Sequence, residues 1–446
     1  MLRSFRPAGL AALVALASTA AAQDPVYRYD AGPFVIDNVR IETVTNGTIE
    51  RGRIVIRDGR IEAVGADAPA PADAQTVDGA GLTAYPGLID GGTSIGLAEI
   101  GAVRVTIDTD EIGEVTPQMK ALTAVNPSST HFPVTRVAGV TAALTNPTGG
   151  LLPGTSALIH TVGYTPAQMD AGFQGVRLLY PRSGRRGRFD RRTDEAIQKA
   201  NEKALKALNE AWDAAELYAR IDSARTASGS REAMPYQPEA AALLPVLRGD
   251  AALLVEANGA ADIRSALAWV AERGVPRVVL TGAAEGWRVA DAIAEAGVPV
   301  VTGPVTGLPT RASDRYTRAY ENAALMHRAG VTVALRTNES ENVRNLPFQA
   351  GFAAAYGMPY GFGRAEALEA VTITPARIFG VDAELGSIEA GKRASLFLAD
   401  GDPFETATQI RAVWVNGLRV PMDSRQIRLY EEYLDRAPGT TLPGGG

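Results

Sequence analysis

Cysteine is absent from this sequence and histidine nearly so: 446 residues hold no Cys and three His, at His131, His160 and His327. Without Cys there is no disulfide framework, zinc–thiolate site, iron–sulfur cluster or thiol nucleophile. Three imidazoles cannot build a site that requires four. Lysine is also scarce, with Lys120, Lys199, Lys203, Lys206 and Lys392 the whole supply. Beyond the N-terminus no run approaches the roughly 18 consecutive apolar residues of a membrane-spanning helix, so none is expected. The formal net charge is −6. The one basic run, Arg185, Arg186, Arg188, Arg191 and Arg192, precedes a helical pattern and reads as a solvated helix entry. An acidic chain with nothing more basic than this is a poor nucleic-acid binder.

The N-terminus has the tripartite form of a secretory leader. Arg3 and Arg6 make a positive segment, Ala8 to Ala17 is apolar and short, and Ala20-Ala21-Ala22 before Gln23 is a small-residue cleavage site. Residues 1–22 are therefore expected to be a signal peptide, and the mature protein to be periplasmic or secreted. With no Cys after the apolar segment, anchoring through a lipidated Cys is excluded.

Both ends of the remaining chain read as strands. Phe34-Val35-Ile36, Arg53 to Ile56 and Arg60 to Val64 are short and β-branched, with Asp58-Gly59 at hairpin spacing. Ser395 to Leu398 and Ile410 to Val415 are similar, the latter followed by Asn416-Gly417. From about residue 250 the middle alternates strand and helix. Strands are expected at 251–256, 277–281, 298–302 and 331–335, and helices at 261–273, 285–296, 314–329 and 348–356. These strands are continuous apolar runs, as when both faces of a parallel sheet are buried. A long helix, Thr193 to Arg225, interrupts the pattern, and 426–434 reads as a terminal helix before a disordered Gly-rich end. Repeated β–α units suggest a barrel or a doubly wound sheet.

Three stretches resemble the amidohydrolase superfamily. They are Gly52 to Gly65, Tyr85-Pro86-Gly87-Leu88-Ile89-Asp90, and the pair Ala370 to Gly380 and Leu385 to Leu396. The resemblance is closest to the imidazolonepropionase-like, secreted branch, where a stretch like Ala124 to Pro127, Pro133 to Arg136 and Gly139 to Thr141 also recurs. It implies an α/β fold: a (β/α)8 TIM-like barrel over 86–380, inserted in a small β-sandwich domain made of 24–85 and 381–423. Residues 424–446 are left as a C-terminal helix and disordered tail. It also implies hydrolysis of non-peptide C–N bonds at a site holding zinc or another divalent metal.

The residues at the implied metal positions do not match. The family's first strand ends in His-x-His, where this chain has Gly92 and Ser94. A His is implied after Leu253-Leu254-Val255, where Glu256 stands, and another after Val278 to Thr281, where Gly282 stands. The last barrel strand leads to Gly-Thr-Asp in the family and to Arg336-Thr337-Asn338 here. Gly has no donor, and neutral Ser and Asn oxygens are weak ligands for zinc. No Lys falls at a barrel strand end to bridge two metals, and none of the three His is placed to substitute.

The chain is therefore expected to bind no metal and no other cofactor. It reads as a metal-free pseudoenzyme, or a relative that binds a ligand or partner. A small molecule, uncharged or cationic, would lie in the barrel mouth near Ser94, Glu256, Asn338, Glu339 and Arg136. Self-association, or pairing with a catalytically competent relative, is the expected mode of partnership. The alternative is an active amidohydrolase acting on cyclic amides or dipeptide-like C–N bonds through an atypical, metal-independent site. Glu256 and Glu339 would then be its acid–base pair.

Overall fold

The computed structural model describes residues 29–185, 190–229 and 233–434. The expected leader, Arg186 and Arg188 of the basic run, and the Gly-rich end lie outside the described residues.

Two eight-stranded sheets organise the chain. The first draws on both termini. Its strands are β1 (Phe34–Glu42), β2 (Thr48–Arg57), β3 (Arg60–Gly65), β4 (Gln75–Asp78) and β5 (Thr83–Pro86), joined by three strands from the C-terminal part. Asp58 and Gly59, with φ of 49° and 79°, form the two-residue turn between β2 and β3. Two consecutive residues at positive φ are what a tight hairpin matched to strand twist requires. A second such turn, Asn416-Gly417, packs against it, and an added Cβ on Gly417 would lie 2.3 Å from Gly59 Cα. The two ends of the chain thus meet hairpin to hairpin over a core of Phe34, Ile36, Ile54, Leu396 and Trp414.

The second sheet is the barrel. Its strands are β6 (Leu88–Thr93), β7 (Val140–Thr145), β8 (Gly154–His160), β9 (Asp170–Leu179), β10 (Ala252–Ala257), β11 (Val278–Gly282), β12 (Val300–Thr302) and β13 (Val333–Leu335), in sequential order. The chain then returns to the first sheet through β14 (Leu396–Ala399), β15 (Ile410–Val415) and β16 (Leu418–Val420). The α/β barrel class expected from the sequence is the one observed. One unit departs from the repeat: β8 runs antiparallel to both β7 and β9. The ends of the barrel sheet are joined near the mouth by residues just after β13. Thr337 donates to Asp90, Asn338 N–H donates to Gly92 O, and Thr93 Oγ1 donates to Glu339 O.

Alternate residues of a strand share a face. Leu254, Val279 and Ala334 belong to one buried apolar cluster. Two residues further along the same strands come Glu256, Thr281 and Arg336. An apolar layer therefore carries a polar and charged layer at the C-terminal end of the barrel, where barrel sites form.

The long insertion is a single helix, Asp194–Ser228, between β9 and β10. Thr193 caps it by accepting from Ala196 N–H, and Gly229 ends it in the left-handed region at φ 67°. It buries Leu208, Trp212 and Ala215, while Ala200, Asn201 and Ala204 of its first turns reach the barrel mouth. Other boundaries shift. The helix expected over 285–296 is a 3-10 turn, Gly286–Arg288, followed by Ala290–Ala296. Glu285, just before that turn, reaches back to the start of the preceding helix, Ala260–Glu272, accepting from Ala260 N–H at 2.9 Å. The helix expected from 314 begins at Arg318, because Asp314 is drawn into an ion pair with Arg288. No helix among the described residues is long and apolar enough to cross a membrane.

Candidate functional site

Glu256 is the centre of the charged layer. Arg336 grips it with both ends of its guanidinium, Nη1 to Oε2 and Nη2 to Oε1, each at 2.7 Å. Arg177, from β9, adds a contact to Oε2 at 3.2 Å and anchors its other nitrogen on Pro147 O at 2.6 Å. Thr281 Oγ1 donates to Oε2 at 2.9 Å, and Asn258 Nδ2 to Oε1 at 3.3 Å. Five donors thus converge on a carboxylate with about four lone-pair directions. The cluster is nearly sealed: the side chains of Arg336, Arg177 and Glu256 are 2%, 8% and 14% exposed.

Burial alone would raise the Glu256 pKa. The Arg336 charge and its two hydrogen bonds, then Arg177 and Thr281, outweigh burial and hold the carboxyl far below the usual carboxylate range. Burial moves Arg177 down from its ordinary value. One carboxylate between two guanidinium groups leaves one net positive charge inside the barrel.

Asp90 is the second buried acid. It accepts from Thr337 N–H at 3.1 Å, from Thr337 Oγ1 and from Gly92 N–H at 3.0 Å. Its residue is fully buried, and burial pushes its pKa up to about 6 against the pull of those donors and of Arg336.

Above the charged layer lies a cavity of about 930 Å³. Ser94, Glu256, Asn338 and Glu339 all line it. Arg136 does not. It ends the helix His131–Arg136, where it donates to Thr161 O at 2.9 Å and to Tyr29 OH at 3.1 Å. That is the far end of the barrel, where β8, running backwards, terminates. Read as a position near a strand end it was a site candidate; its local helix points it the other way. Glu256 and Glu339 do not form an acid–base pair, since Glu256 is locked as an anion and Glu339 accepts from Asn342 Nδ2. Ser94 has no imidazole near it. His131 opens a short helix and bonds Glu99 O. His160 is buried, which pushes its pKa down to about 4. His327 packs edge-on against Phe362.

The donor set can be tested against a metal directly. Among the described residues, no group of three or more His, Asp or Glu is placed to hold an ion. Every lone pair of Glu256 is committed, and the cations it holds are guanidinium groups. The two glycines cannot be refilled at this packing. An added Cβ on Gly92 would lie 2.9 Å from Asn146 Nδ2 and 3.1 Å from Arg336 Cδ. On Gly282, at φ 85°, it would lie 2.5 Å from Asn258 Oδ1 and 2.8 Å from Glu256 Oε1. The residues present do not fit a divalent metal at this position.

The fold matches that of an amidohydrolase from Thermotoga maritima MSB8, with a TM-score of 0.74 over 86% of this chain and 99% of that one, at 22% identity. Residues 250–420, from just before β10 to the end of β16, match the sequence profile of the Amidohydrolase family. That segment is similar to the Amidohydrolase family in sequence, and the fold as a whole is similar to that of a solved amidohydrolase. Among curated proteins the chain is similar to the amidohydrolase tasK of Hapsidospora irregularis, 23% identical over 83% of this chain. It is also similar to an imidazolonepropionase of Syntrophobacter fumaroxidans, 35% identical over 25% of this chain. The chain spans only 39% and 24% of the lengths of those two relatives.

The barrel mouth is dominated by the buried pair Arg177 and Arg336 around Glu256. Sequence reasoning weighed Asn338 in Arg336-Thr337-Asn338 and passed over its neighbour. The signal was available: Arg177 and Arg336 each sit in or beside an apolar strand, and buried cations of that kind require a buried anion.

Proposed function

We propose that this protein is a metal-independent member of its superfamily, whose barrel mouth binds a small molecule without the metal-bound hydroxide of an ordinary amidohydrolase. The carrying observation is that Glu256, at a strand end where the resemblance implies a metal ligand, is saturated by Arg336, Arg177, Thr281 and Asn258. A carboxylate so held neither ligates a metal nor accepts a proton near neutral pH. Without a metal, water keeps a pKa near its bulk value and hydroxide is scarce. The leader pattern supports placing this binding activity outside the cytoplasm, and N-terminal sequencing that finds Gln23 as the first residue is the expected result.

The experiment is elemental analysis of the purified, dialysed protein, with hydrolysis assays on cyclic amides and dipeptides, with and without added zinc or manganese. The expected result is substoichiometric metal and no metal-stimulated turnover. Stoichiometric, tightly held metal, or hydrolysis that depends on it, overturns the reading.

A second reading, hydrolysis of cyclic amides or dipeptide-like C–N bonds at an atypical site, is favoured by the match to an imidazolonepropionase and by the carboxylates of Glu339 and Glu341 on the cavity wall. Turnover unaffected by chelation in the same assay would support it.

A further inference from the structure

The barrel mouth has a second compartment. A smaller cavity of about 220 Å³ lies beyond Glu256, Asn258 and Asn338, which also line the large one. These three residues form a neck between an outer and an inner lobe.

The outer side of the neck offers neutral hydrogen-bonding groups. Asn146 is 5% exposed, lines the outer lobe, and makes no side-chain hydrogen bond among the described residues. Ser94 and Asn338 add a hydroxyl and a carboxamide on the same wall. Glu256 and its two arginines leave one net positive charge, but those charged groups are already committed to one another: Arg336 Nη1 and Nη2 and Arg177 Nη2 bond Glu256, and Arg177 Nη1 bonds Pro147 O. A ligand charge placed here would be desolvated without a free partner, so the neck suits a neutral group. A carboxamide, with one acceptor and two donors, pairs well with an amide.

The inner lobe is mostly apolar, with Trp287, Pro304, Val305 and Ala319 among its walls. Most of its polar groups are satisfied. Thr302 Oγ1 donates to Gly282 O and accepts from Asn322 Nδ2, and Asn322 Oδ1 accepts from Trp287 N–H. One group is not. Asp314, whose side chain is 6% exposed, pairs with Arg288 through Oδ1, while its Oδ2 is buried with no partner. An orphaned buried carboxylate oxygen calls for a donor.

Building on the binding reading above, we propose that the ligand is a neutral amide held at the neck. It carries one compact, largely apolar arm that fills the inner lobe and ends in a hydrogen-bond donor facing Asp314. A phenol-bearing amide has this form.

The test is calorimetric titration of the full mature protein with N-acetyl-L-tyrosinamide, N-acetyl-L-phenylalaninamide, N-acetylglycinamide, N-acetyl-L-tyrosine and L-tyrosinamide. The tyrosine amide should bind at least about tenfold more tightly than the phenylalanine amide, through the added donor, and the glycine amide should be weakest. The two charged analogues should each lose at least about tenfold. Asp314→Asn should erase the tyrosine preference. Ala319→Leu, at a half-buried helix position on the lobe wall, should bring all three neutral amides to the glycine value. Equal affinities across the series, tighter binding of a charged analogue, or no binding of any probe overturns the inference. Mass spectrometry of the same samples separates the two proposals. Metal-dependent cleavage of a probe would sink the metal-free reading while leaving the side-chain preference standing, and a flat series without cleavage would sink only this inference.

Discussion

The stem of Arg336 lies in the space that a side chain on residue 92 would need: an added Cβ on Gly92 falls 3.1 Å from Arg336 Cδ. The two residues come from the first and the last strand regions of the barrel, so the missing side chain of one makes room for the other. A glycine inside a strand ordinarily weakens it, and Ala ordinarily helps. Here the order reverses. Gly92→Ala should destabilise the fold by about 1–3 kcal/mol through overpacking, read as a lower urea midpoint at unchanged slope. Placing imidazoles at both positions that the resemblance implies, Gly92→His with Ser94→His, should yield no tight zinc binding while Arg336 is present.

Glu256 neutralises two buried guanidinium groups, so its loss costs more than the bonds it makes. Glu256→Gln should destabilise by about 3–5 kcal/mol, because Arg177 and Arg336 are then buried without a counter-charge. Adding Arg336→Met to that variant should recover part of the loss, since a single buried cation then remains. A double-mutant cycle by chemical unfolding measures this coupling, and simple additivity would contradict the cluster as described.

Asp90 gives the fold a pH dependence of known sign. Its pKa rises on folding from an ordinary 3.8 to about 6, so the folded state holds its proton more tightly than the unfolded chain. Stability from this group is full below pH 4 and falls as pH rises through the window from about 4 to 6. The expected loss is on the order of 3 kcal/mol, at about 1.4 kcal/mol per pKa unit. Glu256 acts in the opposite sense and at lower pH, because its folded pKa is depressed. Asp90→Asn should therefore remove the downward slope between pH 4 and 6, and unfolding curves at pH 4, 5, 6 and 7 measure it.

The barrel and its companion sheet were legible in the sequence because their signals are local. Apolar runs such as Leu253-Leu254-Val255 and turns such as Asp58-Gly59 depend on nearby residues only. The reversal of β8 was not legible, since an antiparallel strand and a parallel one can share the same apolar run. At the site, Gly92, Ser94, Gly282 and Asn338 could be picked out by register against a family phrase. The residues that fill the space around them could not. Arg177, Glu256 and Arg336 are separated by up to 159 positions in the chain but meet within hydrogen-bond distance, and only the folded barrel brings them together. Arg136 failed for the complementary reason: its motif context was right, but a short helix turns its side chain away from the mouth.

That separation makes the two arginine-rich ends of the barrel distinguishable in solution. Arg136 holds Thr161 O and Tyr29 OH at the closed end, and its guanidinium also lies 5.4 Å from the Tyr29 ring centroid. Arg136→Met keeps much of the apolar stem while removing the hydrogen-bonding head. It should cost about 1–3 kcal/mol of stability by leaving a buried carbonyl unpaired, with no change in ligand affinity at the mouth. Asn338 should behave the other way. Its backbone is left-handed, at φ 66°, so Asn338→Gly preserves the turn without strain and deletes only the carboxamide at the neck. Stability should stay within about 0.5 kcal/mol, while the affinity for N-acetyl-L-tyrosinamide falls several-fold. Parallel calorimetry and urea unfolding on the two variants check both halves. A loss of affinity in Arg136→Met at full folding, or none in Asn338→Gly, would place the binding site elsewhere in the barrel.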